Sequence, residues 1–207
     1  MIVANRMTRE PITVEADDLL IRAAHKMQAG GFHRLPVVSN GKLVGIITDR
    51  DLREHHGHLE HTKINGVMTE RPATVTPATT VEEAAKILLE RQIGALPVVA
   101  EGRLVGIITT SDILNAFLEV MGASRGGSTR IDFILEGEEH GFIEATRIVA
   151  REGGEVLGVG TYREKLGENP VCYLRLFSGD PDKISKALRS SGFNILGVHR
   201  IGGEGTR

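Results

Sequence analysis

The sequence predicts a mixed α+β and α/β fold in three small units: two consecutive β-α-β-β-α units, then a ferredoxin-like β-α-β-β-α-β unit. Three observations predict it. First, Leu35-Pro36-Val37-Val38 recurs as Leu96-Pro97-Val98-Val99, and each copy is followed at the same distance by Leu-Val-Gly-Ile-Ile-Thr-x-x-Asp. The same offset of 61 residues (Leu35 to Leu96) places Met7-Thr8 on Met68-Thr69, Ala23-Ala24 on Ala84-Ala85 and Asp51 on Asp112, so the chain is internally duplicated. Second, apolar spacing alternates between strand and helix periods in both copies and again after them. Third, residues 122–128 combine three glycines with small polar residues, as a flexible linker would. The resulting divisions are 1–62, 63–121 and 128–205.

Each repeat opens with an extended segment ending in Thr-Val. A helix follows, with Leu20, Ala23, Ala24 and Met27 on its buried stripe in the first copy and Val81, Ala84, Ala85 and Leu88 in the second. Thr80 and Glu83 have capping-box spacing at the start of the second of these helices. Strands are expected over Leu35–Val38 and Leu43–Ile47, joined by Asn40-Gly41, a pair suited to a tight hairpin because both central residues need positive φ. Glu101-Gly102 holds the equivalent place. A further helix begins after Thr48 and after Thr109. In the last unit, strands are expected over Thr129–Glu136 (Ile131, Phe133 and Leu135 on one face), Glu155–Arg163, Pro170–Ser178 and Asn194–Ile201. Its first helix spans Gly141–Glu152 with Phe142, Ala145, Thr146 and Val149 inward. Its second starts at Asp180-Pro181, an N-cap followed by a proline whose missing N–H costs nothing there, with Ile184, Ala187 and Leu188 inward.

The net charge of −2 over 207 residues gives no chain-wide attraction for a nucleic-acid backbone or an anionic membrane, so an anionic ligand must be met by a local cluster. No signal-peptide-like or bilayer-spanning apolar run is present, and a cytoplasmic, soluble protein without nucleic-acid or membrane partners is expected. The single cysteine, Cys172, lies in an apolar run and reads as a buried structural thiol. No P-loop, dinucleotide fingerprint or nucleophile with base and orienting acid is recognisable, and no span is left for a separate catalytic domain. The chain reads as a non-enzyme with no catalytic cofactor.

The sharpest constellation is Gly45-Ile46-Ile47-Thr48-Asp49-Arg50-Asp51, repeated as Gly106-Ile107-Ile108-Thr109-Thr110-Ser111-Asp112. A strand running into a helix presents backbone N–H groups and a favourable dipole to an anion, and Thr48 or Thr109 can add a hydroxyl. Asp51 or Asp112 can accept from both hydroxyls of a ribose. The same residues also fit a capping box, and the two readings are compatible.

This paired pattern resembles a tandem of cystathionine-β-synthase (CBS) domains, a Bateman module, from Met1 to about Val120. The resemblance implies clefts that bind an adenine nucleotide (AMP, ADP or ATP) or an adenosyl ligand such as S-adenosylmethionine. Asp51 and Asp112 would hold ribose, and Thr48 and Thr109, with Ser111, the phosphate side. Backbone around Ile12-Thr13 and Ala73-Thr74 would hold the adenine edge, beside Pro36 and Pro97. His33 and Arg34 would contact phosphate in the first copy, where the second has Gly94-Ala95; alternatively, Arg34 is a solvated surface residue. The last unit resembles an ACT domain, with Glu138-Glu139-His140-Gly141-Phe142 in place of the ligand loop and Gly141 allowing close approach. His140 replaces the usual proline, leaving open either amino-acid binding or a structural, dimerising role. The combination resembles the acetoin-utilisation B-type proteins. A homodimer and a partner enzyme are expected, and the alternative is a non-catalytic dimerising module with empty clefts. His55, His56, His58 and His61, with Glu54 and Glu60, suit metal ligation by type but lie in one polar linker and read as solvated. His25 is expected on a helix surface, and His199 at an interface or in solvent.

Overall fold

Residues 1–123, 126–134, 141–163 and 169–201 are described by a computed structural model, in which the chain separates into Met1–Leu114 and Asn115–Arg207. In the first unit the first repeat supplies β1 (Thr8–Arg9), β2 (Val14–Glu15), α1 (Leu20–Gly30), β3 (Arg34–Ser39), β4 (Lys42–Thr48) and α2 (Asp49–Glu54). The second repeat supplies β5 (Thr69–Glu70), α3 (Val81–Glu90), β6 (Ala95–Ala100), β7 (Arg103–Thr109) and α4 (Thr110–Val120), within which the division between units falls. Val75 makes a parallel bridge to Val98, the counterpart of Val14 with Val37. The hairpin turns have φ of 50° and 74° at Asn40-Gly41 and of 50° and 75° at Glu101-Gly102, so Glu101 adopts the left-handed conformation that asparagine tolerates better.

The opening segments are exchanged. Thr8 pairs with Ile107 and Arg9 with Gly106, whereas Thr69 pairs with Ile46 and Glu70 with Gly45. The two sheets are therefore β2-β3-β4-β5 and β1-β7-β6, and backbone pairing crosses the sequence boundary between repeats in both directions. The glycine of each Leu-Val-Gly-Ile-Ile-Thr makes this close approach feasible. A Cβ on Gly106 would stand 2.6 Å from Met7 Sδ and 3.0 Å from Thr8 O; on Gly45 it would stand 2.9 Å from Met68 Cγ and 3.0 Å from Thr69 O. The recurrent Met-Thr pairs are thus lids on the other repeat's glycine.

Leu20, Ala23 and Met27 of α1 pack with Val14, Leu35, Val37, Ile47, Leu52 and Ile64 in one buried cluster. Val81, Ala84, Leu88, Leu96, Val98 and Ile108 are buried in the second repeat. Each buried leucine or isoleucine contributes roughly 1.5–3 kcal/mol over its exposed state, so these stripes rather than intrinsic propensity hold short helices of ten or eleven residues. α1 ends on Gly31 at φ 65°; at the matching position α3 is followed by Gln92 at φ 52°.

In the second unit β8 (Ser128–Ile134), β9 (Glu155–Tyr162), β10 (Val171–Ser178) and β11 (Asn194–Ile201) form an antiparallel sheet in the order β11-β8-β10-β9, with α5 (Gly141–Arg151) and α6 (Pro181–Ser190) between strands. This is the expected ferredoxin-like connectivity. Ile131, Phe133, Leu174, Leu176, Ile184, Leu188 and Ile195 build its core, and Phe133 meets Phe193 edge-on at 5.4 Å. Asp180 caps α6 by accepting from Asp182 N and Lys183 N. The inward stripe of α5 is Gly141, Ala145, Ile148 and Val149; Phe142 is half-buried, and Thr146 turns its hydroxyl back to Ile143 O. Leu135 lies outside the described residues. The expected linker is not a free tether where it is described: Gly122 is buried at φ 67°, its N–H donates to Glu119 O, and a Cβ there would meet Leu157 Cβ at 2.9 Å.

Candidate ligand cleft

Both Thr-x-x-Asp motifs form complete capping boxes. Thr109 N and Thr109 Oγ1 donate to Asp112 Oδ2 at 2.8 and 2.7 Å, and Asp112 N donates to Thr109 Oγ1 at 3.3 Å. Thr48 and Asp51 repeat this at 2.8, 2.7 and 3.4 Å. The first amides of the two helices are also used, Thr110 N by Gly94 O and Asp49 N by His33 O. The threonine hydroxyls and the amides of Asp49, Asp51, Thr110 and Asp112, among the donors expected to meet an anion, are thus engaged within the chain. What the box leaves available is the second carboxylate oxygen, Oδ1, of Asp112 and of Asp51, which carries no partner among the described residues.

A cleft of about 490 Å³ opens between the two repeats, and the exchange of β1 and β5 decides its walls. One wall comes from the first repeat: Thr8, Glu10, Pro11, Ile12 and the run Gly31 to Pro36. The other comes from the second: Gly94, Ile107, Thr109, Thr110 and Ser111. Six expected site residues therefore converge there: Ile12, His33, Arg34, Pro36, Thr109 and Ser111. Asp112 lies directly behind Thr109 through the capping box. Thr13 is half-buried, and its carbonyl accepts from Lys26 Nζ at 2.6 Å. Thr48, Asp51, Ala73, Thr74 and Pro97 do not line this cleft. Ile12 and Arg34 thus share a cleft with the second repeat's Thr109, while Arg34 also sits opposite Thr48 of its own repeat in the β3-β4 pairing.

Arg34 is half-buried and makes no hydrogen bond or ion pair among the described residues. Its guanidinium lies against Gly94, where a Cβ would stand 2.8 Å from Arg34 Cζ. It is not a solvated surface side chain. His33, by contrast, turns to Asp49, with Nδ1 3.4 Å from Oδ2, at an exposed edge of the cleft. Glu10, which the sequence reading missed, also lines the cleft; its φ of 47° and the exchanged strand before it bring it there. The sequence carried a trace of it, since Glu10 precedes the repeated Pro-x-Thr-Val segment, but nothing local told which repeat it would face.

The remaining expected residues lie elsewhere. Gly141 is the buried first residue of α5, and Glu138 to His140 fall outside the described residues. His55 Nδ1 contacts Asp51 O at 2.9 Å, while His56, His58 and His61 are exposed; among the described residues no His/Cys/Asp/Glu group is arranged to hold a metal. His25 is exposed on α1. His199 meets Asp132 Oδ2 at 3.2 Å beside Arg130, whose guanidinium stacks on Tyr173 at 4.5 Å. Arg175, 2% exposed, donates to Ser128 Oγ at 3.2 Å, and burial and neighbouring Arg130 lower its pKa. Burial pushes the Cys172 thiol pKa up, so the thiol is an inert core group. No helix among the described residues is long and apolar enough to cross a membrane.

Two interleaved β-α-β-β-α repeats enclosing a polar-lipped cleft define a paired α/β module. The CBS domain family matches residues 3–57 and again 64–119, more than half of the sequence, and this chain belongs to the CBS-domain family. A CBS domain-containing protein of Dictyostelium discoideum is 36% identical over 58% of this chain and 94% of its own length. An inosine-5'-monophosphate dehydrogenase of Korarchaeum cryptofilum is 40% identical, but over only 22% of that enzyme. Among solved structures, an AcuB protein from Vibrio cholerae assigned to acetoin utilization is 35% identical, with a TM-score of 0.54 over 60% of this chain and 98% of that one. CBSX2 in complex with AMP is 28% identical, with a TM-score of 0.53 over 57% and 97%. The CBS pair of MJ0100, in complex with 5'-methylthioadenosine and S-adenosyl-L-methionine, is 30% identical, with a TM-score of 0.53 over 56% and 95%.

Proposed function

We propose that this chain is a regulatory, non-catalytic protein whose CBS pair binds an adenine nucleotide or related adenosyl ligand in the cleft between Arg34 and Thr109. The observation that carries the reading is the convergence of apolar side chains, an unpaired guanidinium and Thr109, the capping partner of Asp112, on one opening. Its volume is within the range of small-molecule sites. Asp112 Oδ1 accepts from ribose hydroxyls, Ile12 and Pro36 flank the base, and the AMP and S-adenosylmethionine complexes of related CBS pairs favour this ligand class. Binding biases the arrangement of the repeats, and that bias is read by the ferredoxin-like unit, taken here as ACT-like, or by a partner enzyme. The likeness to the Vibrio cholerae protein favours a role in acetoin or related carbon metabolism, and a cytoplasmic homodimer completes the proposal.

The test is isothermal titration of the chain and of Asp112→Ala with adenosine, AMP and S-adenosylmethionine. Binding that weakens at least tenfold in the variant supports the reading; unchanged affinity refutes Asp112 as the ribose acceptor. A second reading, a dimerising interaction module with empty clefts, draws on the exposed apolar side chains of Leu89 (79%) and Leu114 (60%). It predicts no binding to any adenosyl compound.

A further inference from the structure

The cleft's charges are few and unequally placed. Among the residues lining it, Arg34 is the unpaired cation, Glu10 carries the carboxylate, and His33 is already turned to Asp49. Arg34 comes from the first repeat, yet its guanidinium lies where a side chain on the second repeat's Gly94 would project. Gly94 is itself pinned, because its carbonyl accepts from Thr110 N at 3.2 Å at the start of α4. The replacement of His33-Arg34 by Gly94-Ala95 in the second copy is therefore not merely a missing clamp. It is the space in which the first copy's arginine lies.

Building on the adenosyl reading above, we infer that Arg34 and Gly94 together form a seat for a single phosphate, so that the cleft selects a nucleoside monophosphate over a triphosphate. A guanidinium held against a backbone presents its fork to one phosphate in bidentate fashion. Two further phosphates would add at least two negative charges to a cleft that offers no second unpaired cation among its lining residues and holds Glu10, an electrostatic cost in a partly desolvated site. Gly94 is the specificity-determining residue: any side chain there displaces the guanidinium. Because the displaced atoms are the far end of a flexible arginine, and Gly94 does not need a positive φ, Gly94→Ala is compatible with the fold.

The experiment is titration of adenosine, AMP and ATP, without magnesium, into the chain and into Gly94→Ala, Arg34→Ala and Glu10→Gln, with circular dichroism to verify folding. AMP is expected to bind at least tenfold more tightly than both adenosine and ATP. Gly94→Ala and Arg34→Ala should each bring the AMP-to-adenosine affinity ratio near one, and Glu10→Gln should narrow the gap between AMP and ATP. Equal affinity for AMP and ATP, or an AMP-to-adenosine ratio untouched by Gly94→Ala, overturns the monophosphate seat while leaving the adenosyl reading intact. No binding of adenosine, AMP or ATP overturns the monophosphate seat, and if S-adenosylmethionine also fails to bind, the adenosyl reading falls with it.

Discussion

The two repeats fold alike where they support themselves and differ where they face each other. Their capping boxes agree within 0.1 Å, their hairpins share left-handed turns, and both strand glycines lie beneath an exchanged Met-Thr pair. Differences that bear on the cleft are Arg34 against Ala95, His33 against Gly94 and Arg50 against Ser111. Duplication supplies a scaffold twice. An asymmetric cleft then needs only a few substitutions at the seam, because the cleft draws its walls from both copies.

The comparison breaks most severely at the exchange. Gly45→Ala and Gly106→Ala each push a Cβ into a backbone carbonyl 3.0 Å away, and a loss of about 1–3 kcal/mol is expected from each in urea unfolding. A large loss from one glycine alone would show that the exchange is not equivalent in the two directions. Thr48→Val and Thr109→Val should each cost about 1 kcal/mol of stability through the lost cap. Only Thr109→Val should also alter titration of the cleft by AMP, since Thr48 does not line it. Gln92→Gly should stabilise by about 0.5–1 kcal/mol in thermal unfolding, because Gln92 holds at φ 52° the left-handed position that Gly31 fills in the first repeat.

The smallest effect lies outside the repeats. Lys183, first, and then Arg151 hold the Glu152 carboxyl below its ordinary pKa. A carboxylate with a depressed folded pKa stabilises above its unfolded value and loses that contribution as pH falls through the folded one. Lys183→Ala should therefore lower the unfolding midpoint of this unit slightly at neutral pH, and the two proteins should converge at acid pH.

Much of this was legible locally. The strands predicted at Leu35–Val38 and Leu43–Ile47 extend by one residue at each end, Asn194–Ile201 is a strand over its full length, and Asp180-Pro181 begins a helix as expected. Turn chemistry, caps and apolar period are short-range, and they are written within a few residues of where they act. α5 was read less well: Thr146 satisfies its hydroxyl on the helix backbone, and Ile148 takes the inward position instead.

The sequence by itself determined the duplication, the elements of each repeat, the ferredoxin-like order of the last unit and the identity of most groups at the cleft. It could not determine which groups meet. Aligning the repeats placed Arg34 only in the first copy and left open which Thr-x-x-Asp motif would share a cleft with it. Tertiary structure decided it, because two-residue strands find their hydrogen-bonding partners on the other repeat's glycine-bearing strand, and that pairing has no signature within either copy. Arg34 consequently shares a cleft with Thr109, and its guanidinium occupies the space left open at Gly94.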